Sequence, residues 1–312
     1  MASITTGPTR EQEHRTGPGA IFDNEVTLGR MMVAPAVLLI LLLVAYPFLR
    51  ALWLSMTDLE VARAATGNFI GPENYVNLWD RSIFREKVFV NTLVYTLGAV
   101  PIKIVLGLIL ALVLNRKTIP FINLLRGIVL LPWVIPASLS ILVWSWMFEP
   151  TYSVINQALV AINFPGAPYL WLGRPGLAFF SVMLVNVWRG MPFFAVIYLS
   201  ALQNVPRALE EAAMIDGANV IQRFRYVTLP WIMPVIMVTS LFSIVQTSGE
   251  VQIVQVLTRG GPFNTTHVLG TYAYQQAMLS GKLGEGSAIS LFLFPILLLV
   301  IILQLRYLQR EV

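Results

Sequence analysis

Long apolar stretches separated by short polar segments are the main pattern of this 312-residue sequence. Each stretch is at least as long as the roughly 20 mostly apolar residues that a helix needs to cross the hydrocarbon core of a bilayer. Because backbone groups in hydrocarbon must hydrogen-bond within their own segment, such stretches predict helices. They lie at about 31–55, 88–114, 124–148, 177–202, 231–256 and 287–307. The pattern therefore predicts an all-α integral membrane protein with six transmembrane helices.

Many prolines lie inside or at the ends of these stretches. In water they would argue against a helix, but a membrane bundle tolerates them as kinks, because neighbouring groups satisfy the freed backbone. The prolines are Pro35, Pro47, Pro101, Pro132, Pro136, Pro192, Pro234 and Pro295.

The composition agrees with a membrane protein and excludes several kinds of site. Charged residues make up 12% of the chain, against about 25% in soluble domains. The absence of cysteine excludes disulfides and thiolate metal sites, and the two histidines, His14 and His267, are far apart, so we predict no metal site. The net charge of +5 is explained by basic residues beside membrane helices. Without a basic cluster interleaved with aromatics, we predict no nucleic-acid partner.

Lysine and arginine in the loops predict the orientation of the helices. With a cytoplasmic N-terminus, the inner segments hold eleven basic residues and the outer segments seven, in the sense of the positive-inside rule. Both termini are then cytoplasmic. Residues 1–29 are polar and broken by glycine and proline, so we expect a disordered cytoplasmic tail. The first apolar stretch is too long for a signal-peptide core and is interpreted as a retained helix.

The polar loop at 203–230, which this orientation places in the cytoplasm, has the pattern of two short helices joined at a glycine. Pro206 suits the first position of a helix, and the residues from Ala208 to Met214 favour its continuation. Gly217 is the natural stop. A second helix is predicted from about Asn219 to Thr228, ending at Leu229-Pro230, where the fifth transmembrane helix would begin.

This loop resembles the EAA loop of bacterial ABC-importer permeases, whose pattern is Glu-Ala-Ala, two residues, Asp-Gly-Ala, and then a Phe and a Leu-Pro pair. The matching residues are Glu211, Ala212, Ala213, Asp216, Gly217, Ala218, Phe224, Leu229 and Pro230. Three further segments are similar to the binding-protein-dependent sugar permeases of the maltose-transporter type. They are Gly71-Pro72-Glu73-Asn74-Tyr75, Asn186-Val187-Trp188-Arg189 with Pro192 and Phe193, and Leu257-Thr258-Arg259-Gly260-Gly261-Pro262. The resemblance covers roughly residues 30–310.

The resemblance implies a transport subunit of the bacterial cytoplasmic membrane that translocates a di- or oligosaccharide or a related polyol. Its implied partners are membrane lipid, a second homologous permease, two copies of an ABC ATPase and an extracytoplasmic solute-binding protein. The chain lacks the G-x-x-x-x-G-K-[ST] phosphate loop. We therefore expect no cofactor and no catalytic residues in this chain, with ATP and Mg²⁺ bound by the ATPase.

The resemblance also implies that the first loop helix is a coupling helix seated on the ATPase. Glu211 is expected to pair with a basic group there, and Glu210 is a possible second contact. Small side chains at Ala212 and Ala213 would let the helix sit deeply, and Gly217, between Asp216 and Ala218, would set the angle of the elbow. The alternative is an amphipathic interfacial helix without a partner.

Candidate residues of the substrate pathway are polar or aromatic positions within the apolar stretches. Arg189 lies midway along the fourth, and a charge there should face the bundle interior or a cavity. The other candidates are Asn186, Trp188, Gln246, Gln252 and Trp133. Arg189 could instead neutralise an acid or cap carbonyls freed by Pro192, and the glutamines could bond between helices. Lys103 is expected to snorkel or to face the partner permease.

Gly260, Gly261 and Pro262 form an outer loop that is a candidate contact for the binding protein, the alternative being an ordinary turn.

Two other functions, a secondary transporter or channel and a membrane-embedded enzyme, would require features that differ from those of an importer. An ATP-independent secondary transporter or channel would use acidic or histidine relays inside the helices, and it leaves the cytoplasmic elbow unexplained. A membrane-embedded enzyme would need a catalytic set, and neither H-E-x-x-H nor G-x-S-x-G occurs.

Overall fold

The computed structural model describes residues 25–61, 67–116 and 118–309. Most of the predicted tail, residues 1–24, lies outside this range, whereas residues 25–29 already belong to the first helix. Lys117, one of the basic residues that predict the orientation, also lies outside it.

The regular elements of the described ranges are helices. The α-helices are α1 (Glu25–Ile40), α2 (Tyr46–Ser55), α3 (Glu73–Asp80), α4 (Val90–Leu114), α5 (Ile122–Val134), α6 (Ala137–Met147), α7 (Val154–Ala161), α8 (Pro175–Gln203), α9 (Arg207–Ile215), α10 (Val220–Arg223), α11 (Leu229–Ser248), α12 (Gln252–Leu257), α13 (Leu269–Tyr274), α14 (Leu283–Leu291) and α15 (Phe294–Leu308). Wide, π-helical turns occur at Leu41–Ala45, Ile83–Phe89, Phe224–Thr228 and Gln275–Leu279.

Five continuous helices in the described ranges are long and apolar enough to cross a membrane, and a bent pair makes up to six. The all-α membrane fold is thus confirmed. The continuous ones are Val26–Ser55, Ile83–Leu114, Pro175–Gln203, Val220–Leu257 and Leu283–Tyr307. The chain divides into two compact units, Met1–Ala51 and Leu52–Val312, and the functional geometry below lies within the second.

The third predicted helix, 124–148, is not one kinked helix. It consists of α5 and α6, which meet at an angle of 90°. The break lies at Ile135 and Pro136, where Ile135 is extended (φ −61°, ψ 134°). Proline disfavours the helical conformation in the residue before it and lacks an N–H for the helix ladder. Pro132, Pro101 and the prolines of the other long helices lie inside α-helices instead.

The fifth predicted helix also differs, because the second loop helix does not stop at Leu229-Pro230. Helix α10 continues through Phe224–Thr228 into α11, so a helical path runs from Val220 to Ser248 and, after a break at residues 249–251, continues as α12 to Leu257. The N–H of Leu229 donates to the carbonyl of Phe224, five residues earlier. A wide turn of this kind accommodates Pro230, which cannot donate to a regular α-helical ladder.

Helices α4 and α8 form the most extensive pair in the fold. Gly107 of α4 faces Phe194 of α8, and Gly190 of α8 faces the side chain of Lys103, so both contacts depend on a missing Cβ. The fold has three buried apolar clusters, centred on Phe84 and Ile289, on Tyr95 and Val185, and on Phe194 and Ile232, and the second and third include residues of this pair.

The segment after the first transmembrane helix contains a short helix, α3. The amide of Asn74 donates to the carbonyls of Ser55 and Thr57, both at 2.8 Å. Trp79 stacks on Phe292, with ring centroids 5.7 Å apart. Helix α3 is therefore fixed against the end of the first long helix and against Phe292, which lies between α14 and α15.

Candidate functional site

The elbow between α9 and α10 is built by local chemistry. Gly217 has φ +79°, a conformation that side chains other than glycine rarely adopt. Its N–H donates to the carbonyl of Met214, and that of Ala218 donates to Ala213, the bonding of a Schellman motif. The side chain of Asn219 then accepts from the N–H of Gln222 and opens α10. The glycine stop and the second helix start are where the sequence predicts them.

The candidate coupling residues project from this elbow as an exposed surface. No residue of α9 is buried. Glu211, Ala212, Asp216 and Gly217 are exposed, and Glu210, Ala213 and Ala218 are half-buried. Apolar side chains lie beside them, with Ile215 86% and Ile221 76% exposed. An apolar surface of this kind in a polar loop is typical of a contact with another protein.

Candidate pathway residues from α5, α8, α11 and α12 meet at one cavity of about 340 Å³. Five of the six predicted pathway residues line it: Trp133, Asn186, Arg189, Gln246 and Gln252. The wall also includes Lys103 and Glu250. These positions are far apart in sequence, so their convergence is a property of the packing of α4, α5, α8, α11 and α12.

The cavity has an aromatic wall and a polar wall. Trp133 of α5 packs on Phe193 of α8, with ring centroids 5.6 Å apart, and Phe193 packs on Phe242 of α11 at 5.3 Å. The amides and charged groups form the polar wall. An apolar lining with a few convergent polar groups is the usual composition of a small-molecule site.

Lys103 does not snorkel and does not face outward; it is 4% exposed and lies inside the bundle. Its ammonium donates to Oδ1 of Asn186 at 3.0 Å and to Oγ1 of Thr247 at 2.8 Å. The amide of Asn186 in turn donates to Glu250 at 3.5 Å. A charge in this position is expensive to bury and must be hydrogen-bonded, and these partners fulfil that requirement.

Arg189 is the charged residue among the predicted pathway residues. It lines the cavity, and its Nε is buried without a hydrogen-bond partner. Within the described ranges it forms no ion pair. The alternative that Arg189 neutralises an acid of this chain therefore has no support in the described residues.

Trp188 lies away from the cavity. Its ring packs edge-on against Trp144 of α6, with centroids 5.4 Å apart. Consecutive helical residues differ by about 100° around the axis, so Trp188 cannot share the direction of Arg189. The prediction that Trp188 belongs to the pathway is not supported by this geometry.

The loop with Gly260, Gly261 and Pro262 is held in place by many hydrogen bonds. Gly260 has φ +86°, and the ring of His267 occupies the space that a Cβ would need. Thr266 donates to the carbonyl of Gly261 at 2.8 Å. Burial lowers the pKa of His267. The loop is thus a preformed surface rather than a loose turn.

The same loop is anchored to the start of the second long helix. Lys87 donates to the carbonyl of Phe263 at 2.9 Å, and Asn91 donates to the carbonyls of Thr265 and His267. The Phe263 side chain is 78% exposed.

Sequence reasoning did not select Glu250 and Thr247, or the aromatic pair of Phe193 and Phe242, as site residues. The candidates Gln246 and Gln252 lie on either side of Glu250 in the sequence. No spacing rule, however, connects Glu250 through Asn186 to Lys103, which lies 147 positions earlier. In the described part of the chain, no three potential metal ligands lie together.

Comparison with known proteins identifies the family. Residues 103–312 match the family described as the binding-protein-dependent transport system inner membrane component. The sulfoquinovosyl glycerol transport system permease protein SmoG of Agrobacterium fabrum is 34% identical over 286 residues, 91% of each chain. The trehalose/maltose transport system permease protein MalF of Thermococcus litoralis is 33% identical over 90% of this chain and 94% of its own.

A solved structure shares the fold. A bacterial alginate ABC transporter, in complex with an alginate pentasaccharide-bound periplasmic protein, has a chain that superposes with a TM-score of 0.77 at 21% identity. The match covers 92% of this chain and 96% of that chain. The chain described here therefore belongs to the inner membrane components of binding-protein-dependent transport systems and is a multi-pass permease subunit of an ABC importer.

Proposed function

We propose that this permease translocates a sugar, a di- or oligosaccharide or a related polyol, through the cavity between α5, α8 and α11. An aromatic wall opposite amides and charged groups suits a sugar, because rings stack on its apolar faces and planar polar groups bond to its hydroxyls. Both relatives named above carry sugar substrates in their names. Arg189, Gln246 and Gln252 are the groups of this chain that would bond to the substrate, and Trp133 would stack against it.

The elbow of α9 and α10 is proposed to dock on a separate ATPase subunit. Glu211, with Glu210 beside it, would pair with basic groups of that subunit, and the exposed apolar side chains would be buried there. Because α10 continues into α11, motion of the elbow would be carried by a single helical path to the cavity. Transmission through a rigid element with two positions is an established form of coupling.

The complete importer is proposed to hold a second homologous permease, two ATPase copies and an extracytoplasmic binding protein. The elbow and both chain termini would then face the cytoplasm. The preformed loop at Gly260, Gly261 and Pro262 would contact the binding protein on the opposite side. Extensive exposed apolar surface on the long helices is consistent with lipid and a partner permease as neighbours.

The observation that carries this proposal is the direct connection between an exposed elbow and the helix that lines the cavity. It is tested by ATP-dependent sugar uptake in vesicles that contain the whole importer. We expect Glu211→Lys to abolish uptake, because it replaces the proposed ion pair by a repulsion, and Gly217→Pro to do the same, because proline cannot adopt φ +79°.

A matched control reverses a charge elsewhere. Glu86 is exposed and, in the described part of the chain, its ion pair is with its neighbour Arg85 at 3.0 Å, and such surface pairs contribute little. Glu86→Lys should therefore retain uptake. If Glu211→Lys and Gly217→Pro also retain it, with all subunits assembled, the coupling role of the elbow is wrong.

A further inference from the structure

We infer that Lys103 is a positioning residue, which latches a hinge in the fifth long helix to the α4–α8 pair. The helical path from Val220 is interrupted between Ser248, the last residue of α11, and Gln252, the first of α12. Gly249 (φ −92°, ψ 12°) and Val251 (φ −118°, ψ −44°) depart from helical geometry there. Hinges are a few residues at the ends of elements that absorb backbone rotation, and this break has that position.

The break lies at the cavity and far from the elbow. Gly249, Glu250 and Val251 all line the cavity. From Val220 to Ser248 the helical path spans about 40 Å at 1.5 Å per residue. A displacement at the elbow therefore reaches the cavity wall at the point where the backbone leaves the helix.

Lys103 is bonded directly to the last turn before this break and, through Asn186, to a residue within it. Its ammonium donates directly to Thr247, in the last turn of α11, at 2.8 Å. It also donates to Asn186 of α8, whose amide donates to Glu250 within the break. The second oxygen of Glu250 accepts from the N–H of Ile253 at 2.9 Å and so holds the start of α12. One buried cation thus ties α4, α8, α11 and α12 together.

The surroundings show that Lys103 is built into the fold at this point. Gly190 of α8 leaves the space that its stem occupies, since a Cβ there would lie 2.7 Å from Cδ of Lys103. On another side of the break, a Cβ on Gly270 would lie 2.8 Å and 2.9 Å from the carbonyl oxygens of Gly249 and Glu250. The break is therefore packed closely on the side of Gly270.

We call the hydrogen bonds from Lys103 to Thr247 and to Asn186 the latch. Its role rests on the proposed coupling through the elbow. With the latch closed, the segment on the cavity side of the hinge moves only together with α4 and α8. With the latch open, the hinge bends independently, so that ATPase movement no longer requires the binding protein. Loss of Lys103 should therefore separate ATP hydrolysis from uptake.

The test uses the complete importer in lipid nanodiscs and vesicles, with Lys103→Met and a control on the same helix. Thr96→Val is matched to it, because Thr96 is 6% exposed and its hydroxyl has no hydrogen-bond partner among the described residues. We expect Lys103→Met to raise ATP hydrolysis without binding protein about tenfold, the effect of losing hydrogen bonds from a charged donor. Sugar transported per ATP should fall, and Thr96→Val should match the wild type.

A second readout does not depend on the substrate or on the ATPase. The chain has no cysteine, so two introduced cysteines carry spin labels without background from this subunit. Val238 on α11 and Val256 on α12, 57% and 38% exposed, flank the hinge. Without ATP, we expect one narrow distance distribution in the wild type and in Thr96→Val, and a broad one in Lys103→Met.

The outcomes are distinct. A narrow distribution and unchanged ATP coupling in Lys103→Met would overturn the latch. If Lys103→Met does not assemble, Thr247→Val decides, because it removes only the hydroxyl that accepts from Lys103, and unchanged readouts there would overturn the latch equally. Absence of ATP-dependent uptake in the wild type would refute the proposed function instead, while the distances without ATP still decide on the latch.

Discussion

Gly107 provides a sharp test of the packing between α4 and α8, which carries both Lys103 and Asn186. A Cβ at Gly107 would overlap Phe194 and lie 3.3 Å from the backbone nitrogen of Ala195. Because the obstacle is the Cβ of Phe194, which is fixed to the backbone of α8 and is not the flexible end of a side chain, the substitution Gly107→Ala requires the two helices to move apart.

The magnitude follows from a comparison with a second glycine. Overpacking a close contact costs about 1–3 kcal/mol, whereas glycine to alanine within a helix gains about 1 kcal/mol. Gly127 lies within α5 and has no atom within 4 Å of an added Cβ, so Gly127→Ala should show the gain alone. The two variants should therefore differ by about 1–3 kcal/mol, or several degrees in thermal midpoint.

Intrinsic tryptophan fluorescence during heating in detergent measures this difference, since the chain has 8 tryptophans. Gly107→Ala should unfold at a lower temperature than Gly127→Ala. If the two midpoints coincide, or if Gly107→Ala is the more stable, the close approach of α4 and α8 is wrong. The positions of Lys103 and Asn186 would then have to be revised as well.

Two further predictions concern the anchoring of the helical segment α13 and of the loop before it. Thr92→Val should lower the free energy of unfolding by about 1–3 kcal/mol, because the Thr92 hydroxyl accepts from the N–H of Leu269 at 2.8 Å. Thr92→Ser keeps that hydroxyl and should be less destabilising. Equal thermal midpoints for the two variants would exclude the hydrogen bond. His267 has a pKa below its ordinary value of 6.5 because it is buried, so the unfolded chain binds the proton more readily. Its contribution to stability is therefore full above about pH 6.5 and is lost as the pH falls toward the lowered value. Between about pH 7.5 and pH 5.5 the wild type should lose more thermal stability than His267→Gln, and an equal loss would contradict the burial of a neutral ring.

Local signals predict much of the architecture. Runs of apolar residues are sufficient for the long helices, because a bilayer leaves the backbone no other way to satisfy its hydrogen bonds. Gly217 and Asn219 are sufficient for the elbow, because a left-handed glycine and a side-chain cap act within a few residues. The family resemblance of the EAA loop and its neighbours, carried by short segments, agrees with the comparisons.

At two prolines the helices differ from the local prediction. Pro136 breaks the third helix, whereas Pro101 and Pro192 remain inside helices. Pro230 does not end the second loop helix, because a wide turn precedes it. Whether a proline bends, breaks or is absorbed by a helix depends on which neighbours satisfy the freed carbonyls, and this is a tertiary property.

By itself the sequence determined that the chain spans a membrane with about six helices, that an elbow lies between the fourth and the fifth of these helices, and that the family is that of importer permeases. Only the tertiary structure decided that Lys103 is buried on Asn186 and Thr247, that Trp188 turns away from the cavity, and that five predicted pathway residues share it. The physical reason is range. Periodicity, caps and glycine turns act over one or two helical turns, whereas the partners of a buried charge are set by how helices distant in sequence pack against each other.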